Sequence, residues 1–277
     1  MNIREVRKVV SKIKGSLFKR SNSYAIGMLK SNFRGTGLQF KEHRVYTHGD
    51  DVRFIDWKIL AKMDQPYIKT FEEERNVEIV VVIDVAETML TGFNNVSKLQ
   101  ASIEICCLLY LLAKETSDYV RAIILTDKII DLPKKSGEAG ITQLVKTLEK
   151  NNILLENGKI NLNLSFEQRD KEKLFLKLMK SLRRKKEIVI LSDFQDFLET
   201  DLLKKLVYQK NVHGFRITGP LDRFEKSPFI IFSKKENKKG LFETKVKKEE
   251  LDELMGKRIK DIEVENSYLD SFIREMI

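Results

Sequence analysis

The sequence predicts an α/β fold, an open and mostly parallel sheet flanked by helices. Three observations carry this. Residues 78–83, 121–126 and 187–193 are continuous runs rich in Val, Ile and Leu, the composition of strands buried on both faces. The stretches between them are long enough for helices and show helical spacing of apolar residues. Strands that alternate with helices of ten or more residues imply crossover connections, and hence parallel neighbours.

Taken in order, Ile3, Val6, Val9, Val10, Ile13 and Leu17 share one side of a 3.6-residue period, so residues 2–18 read as an amphipathic helix with a basic polar face. Arg34-Gly35-Thr36-Gly37 is a turn-rich stretch. A segment dense in paired charges follows to Arg75 and contains the one tryptophan, Trp57. The first buried strand then ends at Asp84. Leu99, Ile103, Cys106, Tyr110 and Ala113 predict a core helix over 99–113. Helices follow over 141–150, 171–182 and 202–208, with a fourth strand over 212–217. In the tail, 245–277, Leu251, Leu254, Ile259 and Ile262, then Leu269, Phe272 and Ile273, predict one or two helices divided near Gly256. The division is an N-terminal α/β extension over 1–75, the α/β domain over 76–222, and a hairpin or strand region with a C-terminal helical tail over 223–277.

The 277 residues carry 51 Lys and Arg against 41 Asp and Glu, a formal charge of +10. A 42% hydrophobic content is enough for a core and excludes wholesale disorder. No apolar run approaches the roughly 18 residues that span a bilayer. The N-terminus has no uninterrupted apolar stretch before Lys12, which predicts no secretory leader. Cys106 and Cys107 are adjacent, a poor geometry for a disulfide, and point to a reducing cytoplasm. With three histidines, the chain offers no thiolate zinc site. The basic excess concentrates in residues 1–30, where eight Lys and Arg face only Glu5, and in residues 180–186. The N-terminal helix suits a peripheral membrane contact. Nucleic-acid binding is disfavoured, because no stacking aromatics, zinc finger or helix-turn-helix accompanies the charge.

Ligands of an open parallel sheet bind outside the carboxyl ends of its strands. The two most apolar strands both end in aspartate, Asp84 and Asp193. If adjacent, their carboxylates converge on one crevice, a hard oxygen set that suits Mg²⁺ or Mn²⁺. Asp84-x-Ala86-x-Thr88, with Thr142 and Asp193, resembles the metal-ion-dependent adhesion site of von Willebrand factor A domains. The resemblance implies metal ligation by Asp84, Thr88, Thr142 and Asp193. It is degenerate at Ala86, where a hydroxyl ligand is replaced by a methyl, so a metal-free site is the alternative. Asp84 or Thr142 equally serves as a helix-end residue.

The run Gly35-x-Gly37-x-x-Phe40-x-x-x-Arg44-x-Tyr46-x-x-Gly49-Asp50-Asp51-x-Arg53-x-Ile55-Asp56-Trp57 resembles the signature of the bacterial family called domain of unknown function 58. Tyr67, Lys69, Phe71 and Glu74 continue it. Gly219-Pro220-Leu221-Asp222 resembles that family's later Asp-Pro-Leu-Glu with two changes. Read physically, Gly49-Asp50-Asp51 is a tight turn whose carboxylates cap backbone N–H groups or pair with Arg44 and Arg53. Trp57 and Phe54 are expected to pin the segment to the sheet, and His43 and His48 to be network or surface residues.

The expected function is a non-enzymatic adaptor, cytoplasmic or membrane-peripheral, binding a protein at the crevice through the degenerate metal site. The family resemblance implies a MoxR-type AAA+ ATPase as partner in protein maturation or assembly, and membrane-anchored A-domain proteins as associates. The rival readings are a Mg²⁺-dependent hydrolase or phosphotransferase, for which Glu87 is the one nearby base, and a basic nucleic-acid-binding protein. No Ser-His-Asp set, P-loop or dinucleotide fingerprint is present.

Overall fold

The computed structural model describes residues 37–63, 65–74, 77–155, 157–164, 170–182, 186–195, 197–223, 226–233, 238–243, 258–265 and 267–276. The predicted helix over 2–18, the basic run over 1–30 and the tail residues Leu251 and Leu254 lie outside them. The chain forms two compact units, one within Phe33–Asn76 and the other continuing from Val77.

The smaller unit is built on an antiparallel pair, β1 (Gly37–Val45) and β2 (Tyr67–Glu74). The pair runs in register from Gly37 opposite Glu74 to Val45 opposite Tyr67, with a bulge between Phe40 and Glu42. The excursion between the strands holds a 3-10 turn, Val52–Phe54, and a single helical turn, Trp57–Leu60. It is tied down where Tyr46 N–H donates to the Pro66 carbonyl and Asp56 N–H to the Tyr67 carbonyl, both at 2.8 Å.

In the larger unit, the first strand is β3 (Glu78–Asp84). A small hairpin follows, β4 (Gly92–Phe93) and β5 (Val96–Ser97), then helix α1 (Lys98–Thr116) and β6 (Tyr119–Leu125). Next come β7 (Ile129–Asp131), α2 (Gly137–Lys150), α3 (Lys171–Leu182) and β8 (Glu187–Ser192). After α4 (Thr200–Val207) and β9 (Val212–Thr218), β10 (Lys226–Ser233) and β11 (Lys238–Glu243) make a separate antiparallel pair. The described chain closes with β12 (Ile259–Glu263) and α5 (Tyr268–Met276).

The central sheet has the order β12-β9-β8-β3-β6-β7. Every pairing is parallel except β6 with β7. The mostly parallel sheet flanked by helices is thus what the sequence predicts. Alternation along β3 sends Val80 and Val82 to one face, where they join Leu174 and Leu178 of α3 and Leu203 and Leu206 of α4. The opposite face is covered by α1, which touches α2 and α5 as well as β3. That helix is apolar around most of its circumference, and Leu99, Ile103, Cys106 and Tyr110 are all buried, as befits a helix enclosed on several sides.

The structure corrects the tail. Ile259 and Ile262 belong to β12, a parallel edge strand beside β9, rather than to a helix. Five residues carry too little periodicity to separate helix from strand. The open edge of β9 decides the matter, reinforced by Arg216 donating to both Asp261 oxygens at 2.6 and 2.8 Å. Leu269 and Phe272 do lie on a helix, buried on α5. Among the described residues, no helix is long and apolar enough to cross a membrane.

Candidate functional site at the carboxyl rim of the sheet

Strand order creates the site. The chain leaves β3 for β6 on one side and later returns to β8 on the other, so β3 and β8 flank a topological switch point. Ile83 stands level with Leu191. The next residues along, Asp84 and Ser192, are therefore neighbours at the carboxyl rim. Ser192 Oγ donates to Asp84 Oδ2 at 2.6 Å and accepts the Phe194 N–H at 2.9 Å. Asp84 and Ser192 are fully buried and Asp193 nearly so. The turn that carries Asp193 over the rim places Phe194 at φ +59°, a left-handed conformation uncommon for a bulky side chain. Its ring is fixed edge-on against Phe197, with centroids 5.6 Å apart.

A cation is already present. Lys98, the first residue of α1, is 1% exposed. Its ammonium donates to Asp193 Oδ2 at 2.9 Å and to both oxygens of Asp222 at 3.1 Å. Asp222 also accepts the Gly219 N–H at 2.7 Å, and Asp193 Oδ1 accepts the Gln195 N–H at 3.2 Å. Lys98 is set in place by the Ser97 cap on Gln100 N–H, and by its own N–H bonding the Thr91 carbonyl. The β4–β5 hairpin brings the chain from β3 to this point. Asn94 and Asn95 at its tip have φ of 47° and 63°, both in the left-handed region of a type I′ turn.

Of the four metal ligands the sequence suggests, Asp84 and Asp193 both lie at this rim, Asp84 bonded to Ser192 and Asp193 to Lys98. Thr88 lies on the 3-10 turn Glu87–Leu90 that directly follows, and its Oγ1 is buried without a hydrogen-bond partner. Thr142 is an exposed residue in the second turn of α2, with its hydroxyl donating to the Glu138 carbonyl at 2.8 Å. Ala86 caps the 3-10 turn with no side-chain bond, as a methyl must. This set does not fit Mg²⁺ or Mn²⁺, which require about six oxygens in near-octahedral array. One hydroxyl is a methyl, another bonds its own helix, and an ammonium already occupies Asp193, bridging it to Asp222. Among the described residues, no group of three His, Cys, Asp or Glu side chains is arranged to hold a metal ion. Sequence reasoning missed Lys98, Ser192 and Asp222 as members of the site. For Asp222 the signal was the Gly-Pro-Leu-Asp motif itself.

The Gly-Asp-Asp segment forms a second cluster within the smaller unit. Gly49 has φ +105°, which L side chains rarely adopt. Asp50 accepts from Thr47 N–H and Oγ1, both at 2.8 Å, and from Arg44 at 2.7 Å. Hydrogen bonds from Thr47 and then Arg44 hold its carboxyl below the ordinary value. Asp51 caps the 3-10 turn and grips Arg53, whose side-chain bonds lower it to about 2. Asp56 caps the helical turn and pairs with Lys69 and His43, each at 3.1 Å; Lys69 first, then His43, bring it to about 2. His48 is exposed. Trp57 and Phe54 are 66% and 41% exposed, and among the described residues of this unit the buried side chains are Ile68 and Asp56.

A cavity of about 740 Å³ beside β6 and α3 gathers Arg121, Lys128, Lys173, Lys177, Lys180 and Lys186. Four of these six cations are matched. Arg121 and Lys177 pair with Asp131, Lys186 with Glu78 and Lys128 with Asp127. Those bonds outweigh the upward push of burial on Asp131 and hold it low. A surface neutralised in place is a weak phosphate binder.

Fold and site together define a class, a mostly parallel α/β domain preceded by an acidic-turn hairpin. A family model described as "Protein of unknown function DUF58" matches residues 42–224, and the chain belongs to that family. Uncharacterized protein Mb1516 of Mycobacterium bovis and Uncharacterized protein Rv1480 of Mycobacterium tuberculosis are each 33% identical over 58 residues, 21% of this chain. The match spans only 18% of those relatives' length. Among solved structures, the conserved hypothetical protein BatB from Bacteroides thetaiotaomicron is similar with a TM-score of 0.44 and 14% identity, over 72% of this chain and 97% of that one. An aerotolerance-related membrane protein from Bacteroides fragilis gives 0.44 and 14%, over 72% and 98%.

Proposed function

We propose that this chain is a non-catalytic adaptor of the von Willebrand factor A type that docks a protein partner at the carboxyl rim, working with a MoxR-type AAA+ ATPase in protein maturation or assembly. The observation that carries the reading is that the three acids gathered at the β3–β8–β9 end of the rim are each committed to an internal bond: Asp84 to Ser192, Asp193 and Asp222 to Lys98. Acid–base or nucleophilic chemistry needs a group held ready for a substrate. Here the acids hold strands and turns together instead. His213 pairs with Glu187 at the amino end of β8, away from the rim. Glu87, the base a hydrolase would need, is an exposed residue of the 3-10 turn. The choice of ATPase rests on the resemblance of the Gly-Asp-Asp signature.

Phe93, 40% exposed on the rim hairpin, is the natural contact to remove. Pull-down of the host's MoxR-type ATPase by the parent chain and by Phe93→Ser tests the proposal, with thermal melting as the folding control. Recovery by the parent and a loss of at least tenfold with Phe93→Ser is the expected result. No recovery by the parent, or equal recovery by both, refutes it.

A further inference from the structure

We infer that Lys98 is the resident cation of the rim, a tethered ammonium that stands where a divalent ion would otherwise bridge the carboxylates. The inference holds whether or not the rim docks a partner. Three observations meet in it. The ammonium is buried, with the Lys98 and Asp193 side chains 1% and 2% exposed and Asp222 11% exposed. Its contacts are distributed over two carboxylates that belong to different strand ends, Asp193 after β8 and Asp222 after β9, just as a bridging ion's would be. The hydroxyl position of the loop after β3 is Ala86, so the oxygen that a metal would need is missing where the lysine makes it unnecessary.

The charge arithmetic is coherent. A buried carboxylate without a counter-charge is strongly disfavoured, and two converging carboxylates more so. One ammonium with three N–H donors meets Asp193 once and Asp222 twice. Lys98 also opens α1, so the positive end of a 19-residue helix faces the same rim and offsets part of the remaining negative charge. The Asp of the Gly-Pro-Leu-Asp motif thereby acquires a role: it closes the ammonium's coordination from the third strand. The cation is covalently held, so it can be neither chelated nor exchanged.

The test uses Mn²⁺ as probe with the full chain. The parent is expected to bind no Mn²⁺ by electron paramagnetic resonance, and to melt at the same temperature in EDTA and in Mn²⁺. Lys98→Ala vacates the ammonium position while keeping all carboxylates, so the oxygens of Asp193 and Asp222, completed by water, can take a Mn²⁺ that the Asp84, Thr88, Thr142 and Asp193 set cannot hold. It should melt lower in EDTA and recover about 5–10 °C in saturating Mn²⁺, by the linkage between ligand binding and stability. Lys98→Met, which removes the charge but fills the space, should melt lower without recovery. Stoichiometric Mn²⁺ on the parent, lost in Asp193→Asn, overturns the inference and decides the matter even if Lys98→Ala does not fold. A folded Lys98→Ala that ignores Mn²⁺ overturns it as well.

Discussion

Ser192→Ala removes two hydrogen bonds from the floor of the rim. The Ser192 hydroxyl donates to Asp84 at 2.6 Å and accepts from the Phe194 amide at 2.9 Å, and both Ser192 and Asp84 are fully buried. A hydrogen bond to an ionised group contributes about 1.5–3 kcal/mol, and a buried amide left without its acceptor costs about 1–3 kcal/mol. The two together set an expected loss of about 3–5 kcal/mol, near the top of the range for single substitutions. At 2–4 °C per kcal/mol for a domain of this size, the melting temperature falls by about 6–20 °C. Urea unfolding of the parent, Ser192→Ala, Asp84→Ala and the double variant makes a cycle. Because the two side chains share one bond, the double variant should lose less than the two singles together, by about 1–3 kcal/mol. A Ser192→Ala cost below about 1 kcal/mol, or strict additivity, refutes the reasoning.

Three other outcomes follow from the coordinates. A Cβ at Gly140 of α2 would stand 2.1 Å from Tyr110 Cδ1. Gly140→Ala should therefore destabilise by about 1–3 kcal/mol despite a helix-propensity gain of about 1 kcal/mol, and should reverse sign in a Tyr110→Ala background in urea unfolding. Asp51 and Asp56 are lowered from an ordinary 3.8 to about 2, so their stabilisation is complete above 3.8 and is lost as pH falls through about 2. Carboxyl NMR titration should find both midpoints near 2, and midpoints near 3.8 would remove the Arg53 and Lys69 pairs from the solution structure. Burial pushes both thiols up, Cys107 to about 12, so a thiol-specific chromogenic disulfide should label Cys106 and Cys107 only at the rate of unfolding.

What the sequence made legible was what local pattern encodes. The strand at 78–84 is visible because five consecutive β-branched residues leave no helical reading, and α3 because its apolar stripe repeats over twelve residues. The meeting of Asp84 with the end of β8 was conditional in the sequence on β3 and β8 being neighbours, and the strand order supplies that adjacency. The cation between Asp193 and Asp222 was not legible. Lys98 sits 95 residues from one partner and 124 from the other, and in sequence it is an ordinary charged residue at a helix start. Its burial is a tertiary fact. The β4–β5 hairpin had a signal, adjacent asparagines able to adopt positive φ, but two-residue strands have no periodicity to detect. β12 was misread because a segment of five residues takes its conformation from the free edge beside it.

Fixing the cation to the chain changes what a partner can recognise. In a metal-bridged rim an acidic side chain of the partner completes the ion's coordination, and affinity rests on that one bond. With Lys98 buried to 1% and all its contacts made, an incoming carboxylate would have to displace Asp222, the most exposed of the three groups. It would also approach two carboxylates, Asp193 and Asp222, that already share one ammonium, and like charges in poorly solvated surroundings repel strongly. Recognition by an acidic residue is therefore disfavoured where the adhesion-site resemblance suggests it most. What the rim does present is Phe93 at 40% exposure with Asn94 and Asn95 beside it, a hydrophobic anchor bordered by adaptable hydrogen-bonding groups. The proposed docking there would depend on shape and apolar contact, so it should persist in EDTA and vary little with salt, whereas a carboxylate–metal bridge would fail the first of these tests at once.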